Sequence, residues 1–113
     1  MIPHLLHAGR GKIVNVASRG ALAGDSGFSA YSAAKSAVVR LTESLADELK
    51  QAGVNVNYVL PGTIDTPQNR EDRPSADHGK WVVTGAIADV ILFLASDAAR
   101  AVNGAAVPVF GKG

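Results

Sequence analysis

Three short apolar runs rich in β-branched residues predict β-strands at residues 13–17, 54–60 and 105–110. The runs are nearly continuous in hydrophobicity, without a clean alternation of apolar and polar positions. Such runs are typical of parallel strands that are covered on both faces. The second run ends abruptly at Pro61 and Gly62, since proline cannot donate to a strand ladder.

Between the runs, a helical periodicity predicts two amphipathic helices. The first spans residues 29–52, and Gly53 stands where a C-terminal cap belongs. The apolar positions of this helix recur every three or four residues and predict one buried face: Ala34, Val38, Leu41, Leu45 and Leu49. The second predicted helix spans residues 86–96.

The order of these elements is strand, helix, strand, loop, helix, strand. This order predicts an α/β fold with about three parallel strands and flanking helices. Residues 63–80 are polar, contain Pro67 and Pro74, and predict a long loop with a helical turn. Loops of that length inside a compact domain are commonly functional, as lids or binding loops.

Composition and charge exclude several classes of protein. The chain has 113 residues, 47% of them hydrophobic, which is enough for one domain with a core. A net charge of +1 argues against a nucleic-acid partner, and the absence of cysteine excludes disulfides and thiolate metal sites. No leader and no membrane-spanning run is found, so the predicted location is cytoplasmic.

Ser18, Tyr31 and Lys35 offer the strongest candidate chemistry. Tyr31 and Lys35 stand four residues apart in the predicted helix, so their side chains share one face. A phenol ionises near pH 10 unless its anion is stabilised, and a nearby ammonium group does so. Ser18 leaves the end of a predicted strand, where its hydroxyl can donate to a carbonyl or a developing alkoxide. The three residues therefore predict a general acid or base beside a carbonyl-binding hydroxyl.

The same residues also have a purely structural interpretation. A Tyr and a Lys four apart occur by chance in many helices, with the Tyr packing and the Lys solvated. Pro61 and Gly62 can likewise be an ordinary turn at the end of a strand. The residues alone leave both interpretations open.

The longer pattern resembles the short-chain dehydrogenase/reductase family. In that family a strand ends in a catalytic serine, and a tyrosine follows thirteen residues later in a Y-x-x-x-K helix. Ser18 and Tyr31 are thirteen apart, and residues 31–35 read YSAAK. Residues 54–67 resemble the next strand with its Pro-Gly turn and threonine-containing cofactor loop. Residues 86–113 resemble the closing helix and strand, although Phe110 and Lys112 depart from the usual V-D-G-G ending.

The resemblance implies an oxidoreductase that interconverts a small-molecule carbonyl and an alcohol, or reduces a related C=N group. It assigns Tyr31 as the acid/base at the substrate oxygen and Ser18 as the residue that orients the carbonyl. It assigns two roles to Lys35, which would stabilise the Tyr31 phenolate and bind the nicotinamide ribose hydroxyls. The implied cofactor is NAD or NADP, which supplies the hydride.

The resemblance also implies a second group of cofactor-binding residues. Backbone groups around Ile64, together with Thr66, would hold the nicotinamide carboxamide beyond the turn formed by Pro61 and Gly62. A homo-oligomer is implied as well, since members of the family often pack the tyrosine-bearing helix against a partner.

No metal ligand is predicted, because His4, His7 and His78 form no metal-binding pattern and the first two are expected on an exposed terminal turn.

Residues 1–113 are expected to form a partial domain that lacks the family's N-terminal phosphate-binding portion. The T-G-x-x-x-G-x-G turn is absent from this sequence, and so are the residues that select NAD or NADP. Two hypotheses follow: an active oxidoreductase, or a catalytically inactive fragment or interaction remnant of one.

Three weaker patterns complete the sequence analysis. Residues 65–81 look like the corresponding loop of dihydropteridine reductases. Gly20, Gly24 and Gly27 predict a flexible active-site loop between the serine and the tyrosine, in preference to a phosphate cradle. Trp81 is expected to anchor a loop on the core in preference to stacking on a ligand.

Overall fold

A computed structural model describes residues 2–19 and 27–113 of the chain. Gly20 and Gly24 of the predicted glycine-containing loop lie outside these residues. In the described part, the helices are α1 (Ile2–Ala8), α2 (Ser29–Leu49), α3 (Pro67–Asp72) and α4 (Thr84–Leu94). The strands there are β1 (Gly11–Val16), β2 (Val54–Pro61), β3 (Ile64–Asp65), β4 (Val82–Val83) and β5 (Ala106–Val109).

The main sheet has three parallel strands in the order β1-β2-β5. The predicted α/β fold is therefore confirmed, and the predicted strand limits differ from the observed ones by one or two residues at the ends of β1, β2 and β5. Pro108 lies in β5 at an edge of the sheet, where a missing N–H costs no ladder hydrogen bond. A small parallel pair, β3 with β4, was not predicted.

Helix α2 packs on β2 and covers one face of the sheet. Val54, Val56, Tyr58 and Leu60 alternate along β2 and join two core clusters with side chains of α2. Val59 points to the opposite face and is completely buried, and α4 contacts all three strands. The sheet is therefore flanked by helices, as its apolar strands predicted.

The predicted buried face of α2 was largely wrong. Leu49 is buried, but Val38 and Leu45 are only partly buried, and Ala34 and Leu41 are exposed. The helix instead buries a stripe of mostly small side chains: Ser32, Val39, Thr42, Ala46 and Leu49. Small side chains let the helix approach the sheet closely.

The stripe can include Thr42 because the hydrogen bonds of this side chain are satisfied inside the fold. Thr42 Oγ1 donates to Val38 O at 2.8 Å and accepts from Asn15 Nδ2 at 2.8 Å. A periodicity count based on hydrophobicity overlooks a threonine that is paired in this way.

The end of α2 agrees with the sequence prediction. A 3-10 turn spans Lys50–Ala52, and Gly53 follows in the left-handed region with φ of 78°. A Cβ atom at Gly53 would lie 2.5 Å from the backbone oxygen of Gly9, so the position needs glycine for its space as well as for its dihedral angle.

The predicted loop at residues 63–80 contains more structure than one helical turn. It forms β3, the six-residue helix α3 and a 3-10 turn at His78–Lys80. The second amphipathic helix, predicted at residues 86–96, is α4 and begins two residues earlier. None of the helices in the described part of the chain combines the length and the apolar character needed to cross a bilayer.

Candidate active site

A cleft of about 390 Å³ opens at the carboxyl ends of β1 and β2. Ser18 leaves the end of β1, and Pro61 ends the neighbouring strand β2, so their parallel pairing brings both to the same edge. The beginning of α2 and the start of the 63–80 segment close the other sides. The cleft is lined by Ser18, Arg19, Phe28, Tyr31, Ser32, Pro61, Gly62, Thr63, Ile64, Asn69 and Arg73.

Tyr31 and Lys35 occupy consecutive turns at the start of α2. The helix opens with the Ser32 amide donating to Phe28 O at 2.8 Å, which places Tyr31 in the first turn. The Tyr31 side chain is 48% exposed and contacts the Phe28 ring edge to face, with ring centres 6.4 Å apart. Its phenol is therefore accessible from the cleft.

Lys35 lies between Tyr31 and the end of β1. Its Nζ is 5.9 Å from the centre of the Tyr31 ring and 3.5 Å from Val16 O, the long limit of a hydrogen bond. Lys35 thus stands beside both the phenol and the strand that leads into Ser18. The structure brings together the three residues singled out in the sequence, with Ser18 and Tyr31 lining the cleft and Lys35 behind the tyrosine.

Three of the four remaining predicted site residues also line the cleft. Pro61, Gly62 and Ile64 do so directly, on the side opposite α2. Thr66 is the N-terminal cap of α3, where its Oγ1 accepts from the Asn69 amide at 3.1 Å. Its hydroxyl proton stays available for donation, since a capping hydroxyl acts as an acceptor.

An ion pair fixes the segment that carries Thr66. The Arg70 guanidinium donates to both carboxylate oxygens of Asp65, at 2.6 and 2.8 Å. This contact holds the pKa of the Asp65 carboxyl below its ordinary value and raises the pKa of Arg70. Asn69 Nδ2 donates to Ile64 O at 2.7 Å and ties α3 back to β3. These contacts fix residues 64–70 relative to one another, on the side of the cleft that β3 and α3 form.

Six cleft residues were missed by the sequence analysis: Arg19, Phe28, Ser32, Thr63, Asn69 and Arg73. Arg19 directly follows Ser18, and Ser32 directly follows Tyr31, so neighbourhood in sequence was an available signal for both. Asn69 and Arg73 belong to α3 and its end, and their placement needed the structure of the 63–80 segment.

The two N-terminal histidines lie where the sequence placed them. His4 and His7 are exposed on α1. Within residues 2–19 and 27–113, no group of His, Asp and Glu side chains could hold a metal ion. Trp81 is partly buried, and the centre of its ring lies 4.5 Å from the centre of the His78 ring.

A parallel α/β sheet with a polar cleft at the carboxyl ends of its strands is the arrangement of nucleotide-cofactor enzymes. A sequence profile of the short chain dehydrogenase family matches residues 1–77. The chain belongs to this family, as the Ser18, Tyr31 and Lys35 pattern had indicated.

Individual relatives show how much of the family's length is present. The chain is 40% identical to the 2-(R)-hydroxypropyl-CoM dehydrogenase of Xanthobacter autotrophicus over 121 residues, covering 98% of this chain and 48% of that protein. The chain thus spans about half the length of the curated relatives it matches.

Solved structures agree with the fold. A putative 2-deoxy-D-gluconate 3-dehydrogenase from Agrobacterium tumefaciens with bound NADP has a TM-score of 0.88 at 36% identity, covering 97% of this chain and 49% of that one. A 3-oxoacyl-[acyl-carrier protein] reductase from Brucella melitensis with bound NAD has a TM-score of 0.81 at 32% identity, covering 98% and 44%.

Proposed function

We propose that this chain carries the catalytic portion of an NAD(P)-dependent oxidoreductase that interconverts a carbonyl and an alcohol. The observation that carries the proposal is the meeting of Ser18 and Tyr31 in one cleft, with the Lys35 ammonium 5.9 Å from the tyrosine ring centre. The proposed partner is a small-molecule substrate, and a homo-oligomer in the cytoplasm is the expected setting for the whole protein.

Each of the three side chains has a separate role in the proposed reaction. The Tyr31 hydroxyl gives a proton to the substrate oxygen in reduction and removes it in oxidation. The Ser18 hydroxyl donates a hydrogen bond to the same oxygen and orients it. The Lys35 ammonium stands beside the Tyr31 ring, where its positive charge stabilises negative charge that develops on the phenol oxygen while the proton is away.

The residues at this edge of the sheet fit the nicotinamide end of NAD or NADP. Lys35 Nζ has donors to spare for ribose hydroxyls, since its one described contact is the long one to Val16 O. Gly62 lies in the turn beside the cleft, and Pro61, Ile64 and Thr66 flank it. When bound, the nicotinamide supplies or accepts the hydride at the substrate carbon, so that the carbonyl gains a hydride and a proton.

Replacement of Tyr31 tests the proposal. We expect Tyr31→Phe to lower turnover by about 10²- to 10⁴-fold, because the acid/base is lost while the ring is kept. Tyr58→Phe is the matched control: Tyr58 is 6% exposed in the core, so the same hydroxyl is removed away from the cleft. Steady-state assays with NADH and NADPH measure both, and undiminished turnover in Tyr31→Phe would contradict the assignment.

A second candidate is a catalytically inactive remnant that binds other chains. It is favoured by the position of β1, which in the described part of the chain pairs only with β2 and leaves Val16 46% exposed. Titration calorimetry with NADH and NADPH separates the two candidates. A dissociation constant of about 10 μM or below, roughly −7 kcal/mol, favours the oxidoreductase, and a folded chain without binding favours the remnant.

A further inference from the structure

Among the described residues, the cleft beside Tyr31 is lined by two arginines and by no acidic residue. Arg19 and Arg73 contribute to its wall, and the other described lining residues are uncharged. The whole chain is nearly neutral, with 11 basic and 10 acidic side chains, so this local excess of positive charge is not a consequence of composition. A cleft with one sign of charge concentrates ligands of the opposite sign.

Arg19 is held in place beside the end of β1. Its guanidinium carbon lies 4.1 Å from the centre of the Phe110 ring, a cation-π contact. Its Nη2 lies 2.6 Å from where a Cβ atom at Gly62 would be, so glycine makes room for this side chain. The charge is therefore fixed next to Ser18 by neighbours that do not neutralise it.

Arg73 has a fixed backbone and an unengaged head group. Its amide donates to Asn69 O at 3.0 Å, and its carbonyl accepts from His78 Nε2 at 2.8 Å. Among the described residues, no hydrogen bond or ion pair engages its guanidinium. Arg70, three residues earlier, is by contrast paired with both carboxylate oxygens of Asp65. Among the described residues that line the cleft, Arg73 is thus a cation without an ion-pair partner.

Ser32 adds a buried polar group to the same cleft. The residue is 7% exposed, and its Oγ has no hydrogen-bond partner among the described residues. A buried hydroxyl without a partner is costly and marks a place where a ligand atom can complete the pairing.

We propose that the substrate of this cleft carries an oxyanion, such as a carboxylate, that is bound by Arg73 together with Arg19. The inference rests on the proposed function, since it specifies the substrate class of the same site. A guanidinium presents paired N–H donors that match the two oxygens of a carboxylate, and a neutral substrate would leave both charges without a counterion. Ser32 is positioned to donate to a further polar atom of the bound molecule.

Two ligands with the same carbon chain, one charged and one neutral, test this proposal: 4-oxopentanoate and its methyl ester. Their affinities are measured by ligand-observed NMR titration of the Tyr31→Phe chain, in which turnover does not interfere. We expect the carboxylate to bind at least tenfold tighter than the ester. Arg73→Gln removes this preference, and Arg73→Lys keeps part of it because the charge remains.

Arg100→Gln is the matched control, since Arg100 lines a different cleft near Lys12 and Lys50 and its loss changes the net charge equally. Equal affinity for the two ligands, or a preference that survives undiminished in Arg73→Gln or in Arg19→Gln, would overturn the proposal. The proposed function is judged separately. Its test is turnover of the neutral ester by the chain without any substitution. An active enzyme without carboxylate preference contradicts only the substrate class.

Discussion

Single buried amide side chains connect the strands to the loops of this protein. Asn57 is 1% exposed, and its Nδ2 donates to Val102 O at 2.9 Å. Its Oδ1 accepts from the Ala105 amide at 2.9 Å, so both ends of the amide are paired. This one residue therefore ties β2 to the chain that enters β5, where the backbone would otherwise have unpaired groups.

We expect Asn57→Asp to lower the free energy of unfolding by about 1–3 kcal/mol. The substitution replaces the donating Nδ2 by an oxygen that faces the Val102 carbonyl, and it buries a charge. Urea denaturation followed by circular dichroism measures the change.

Asn55→Asp is the control for Asn57→Asp, on the same strand. Asn55 Oδ1 accepts from the Lys12 ammonium, so a carboxylate there gains an ion partner that offsets the loss of the exposed 3.2 Å contact from Nδ2 to Arg100 O, and the expected change is within about 1 kcal/mol. An equal loss in both variants would show that burial and pairing at Asn57 are not the cause.

At the scale of elements, α3 depends on contacts outside its own six residues. An isolated helix of this length is unstable in water, so caps and tertiary contacts must hold it. Thr66 caps the first turn, and the Asp65–Arg70 ion pair connects the helix to β3. Arg73 directly follows the last residue of α3. The position of its guanidinium in the cleft therefore depends on whether α3 is formed.

The ion pair predicts an acid-sensitive α3. The folded pKa of Asp65 is depressed, so its contribution is complete above the unfolded value, near 4, and is lost as the pH falls through the folded pKa. Hydrogen exchange of the Arg73 amide, corrected for the intrinsic rate, measures this loss. We expect protection to decline in acid in the unmodified chain.

In Asp65→Asn, the Arg73 amide should be less protected from hydrogen exchange already at pH 6. Its protection should then show no further decline as the pH falls through the range in which Asp65 titrates. Asp47→Asn removes a carboxylate that pairs with Lys50 on α2, and it should leave α3 unchanged. An acid step that persists in Asp65→Asn would assign the transition to another group.

At the scale of the whole molecule, the chain has a narrow sheet and an extended shape. Its radius of gyration is 15.6 Å, against about 13 Å for a compact domain of this length. A three-stranded sheet has two edges for one central strand, and β1 forms one of them. Unpaired N–H and C=O groups on an apolar edge strand are a template for pairing with another chain.

We expect the chain by itself to self-associate through β1. Val16→Lys places a charge on this strand and should shift the sedimentation velocity profile toward monomer. Leu92→Lys is the control, because Leu92 is 70% exposed on α4 and the same apolar-to-charged change occurs away from the strand edge. A monomer at all concentrations that unfolds cooperatively, or dissociation by Leu92→Lys alone, would contradict the prediction.

The sequence by itself determined the local structure and indicated the candidate site residues. The three strands, the start of α2 and the cap at Gly53 follow from hydrophobic periodicity and from the few residue types that tolerate a left-handed conformation. The proximity of Tyr31 and Lys35 follows from helix geometry, because residues four apart share a face. All of these are interactions between near neighbours in the chain.

The tertiary structure decided which surfaces meet. It selected the stripe with Ser32 and Thr42 as the packed face of α2, and the hydrogen-bond partners of Thr42 come from Asn15 and from the helix backbone. It formed α3 and placed Arg73 in the same cleft as Arg19, although the two residues are 54 positions apart in the chain. Such meetings depend on strand order and on side-chain pairing between distant segments, which a pattern of polar and apolar positions does not encode.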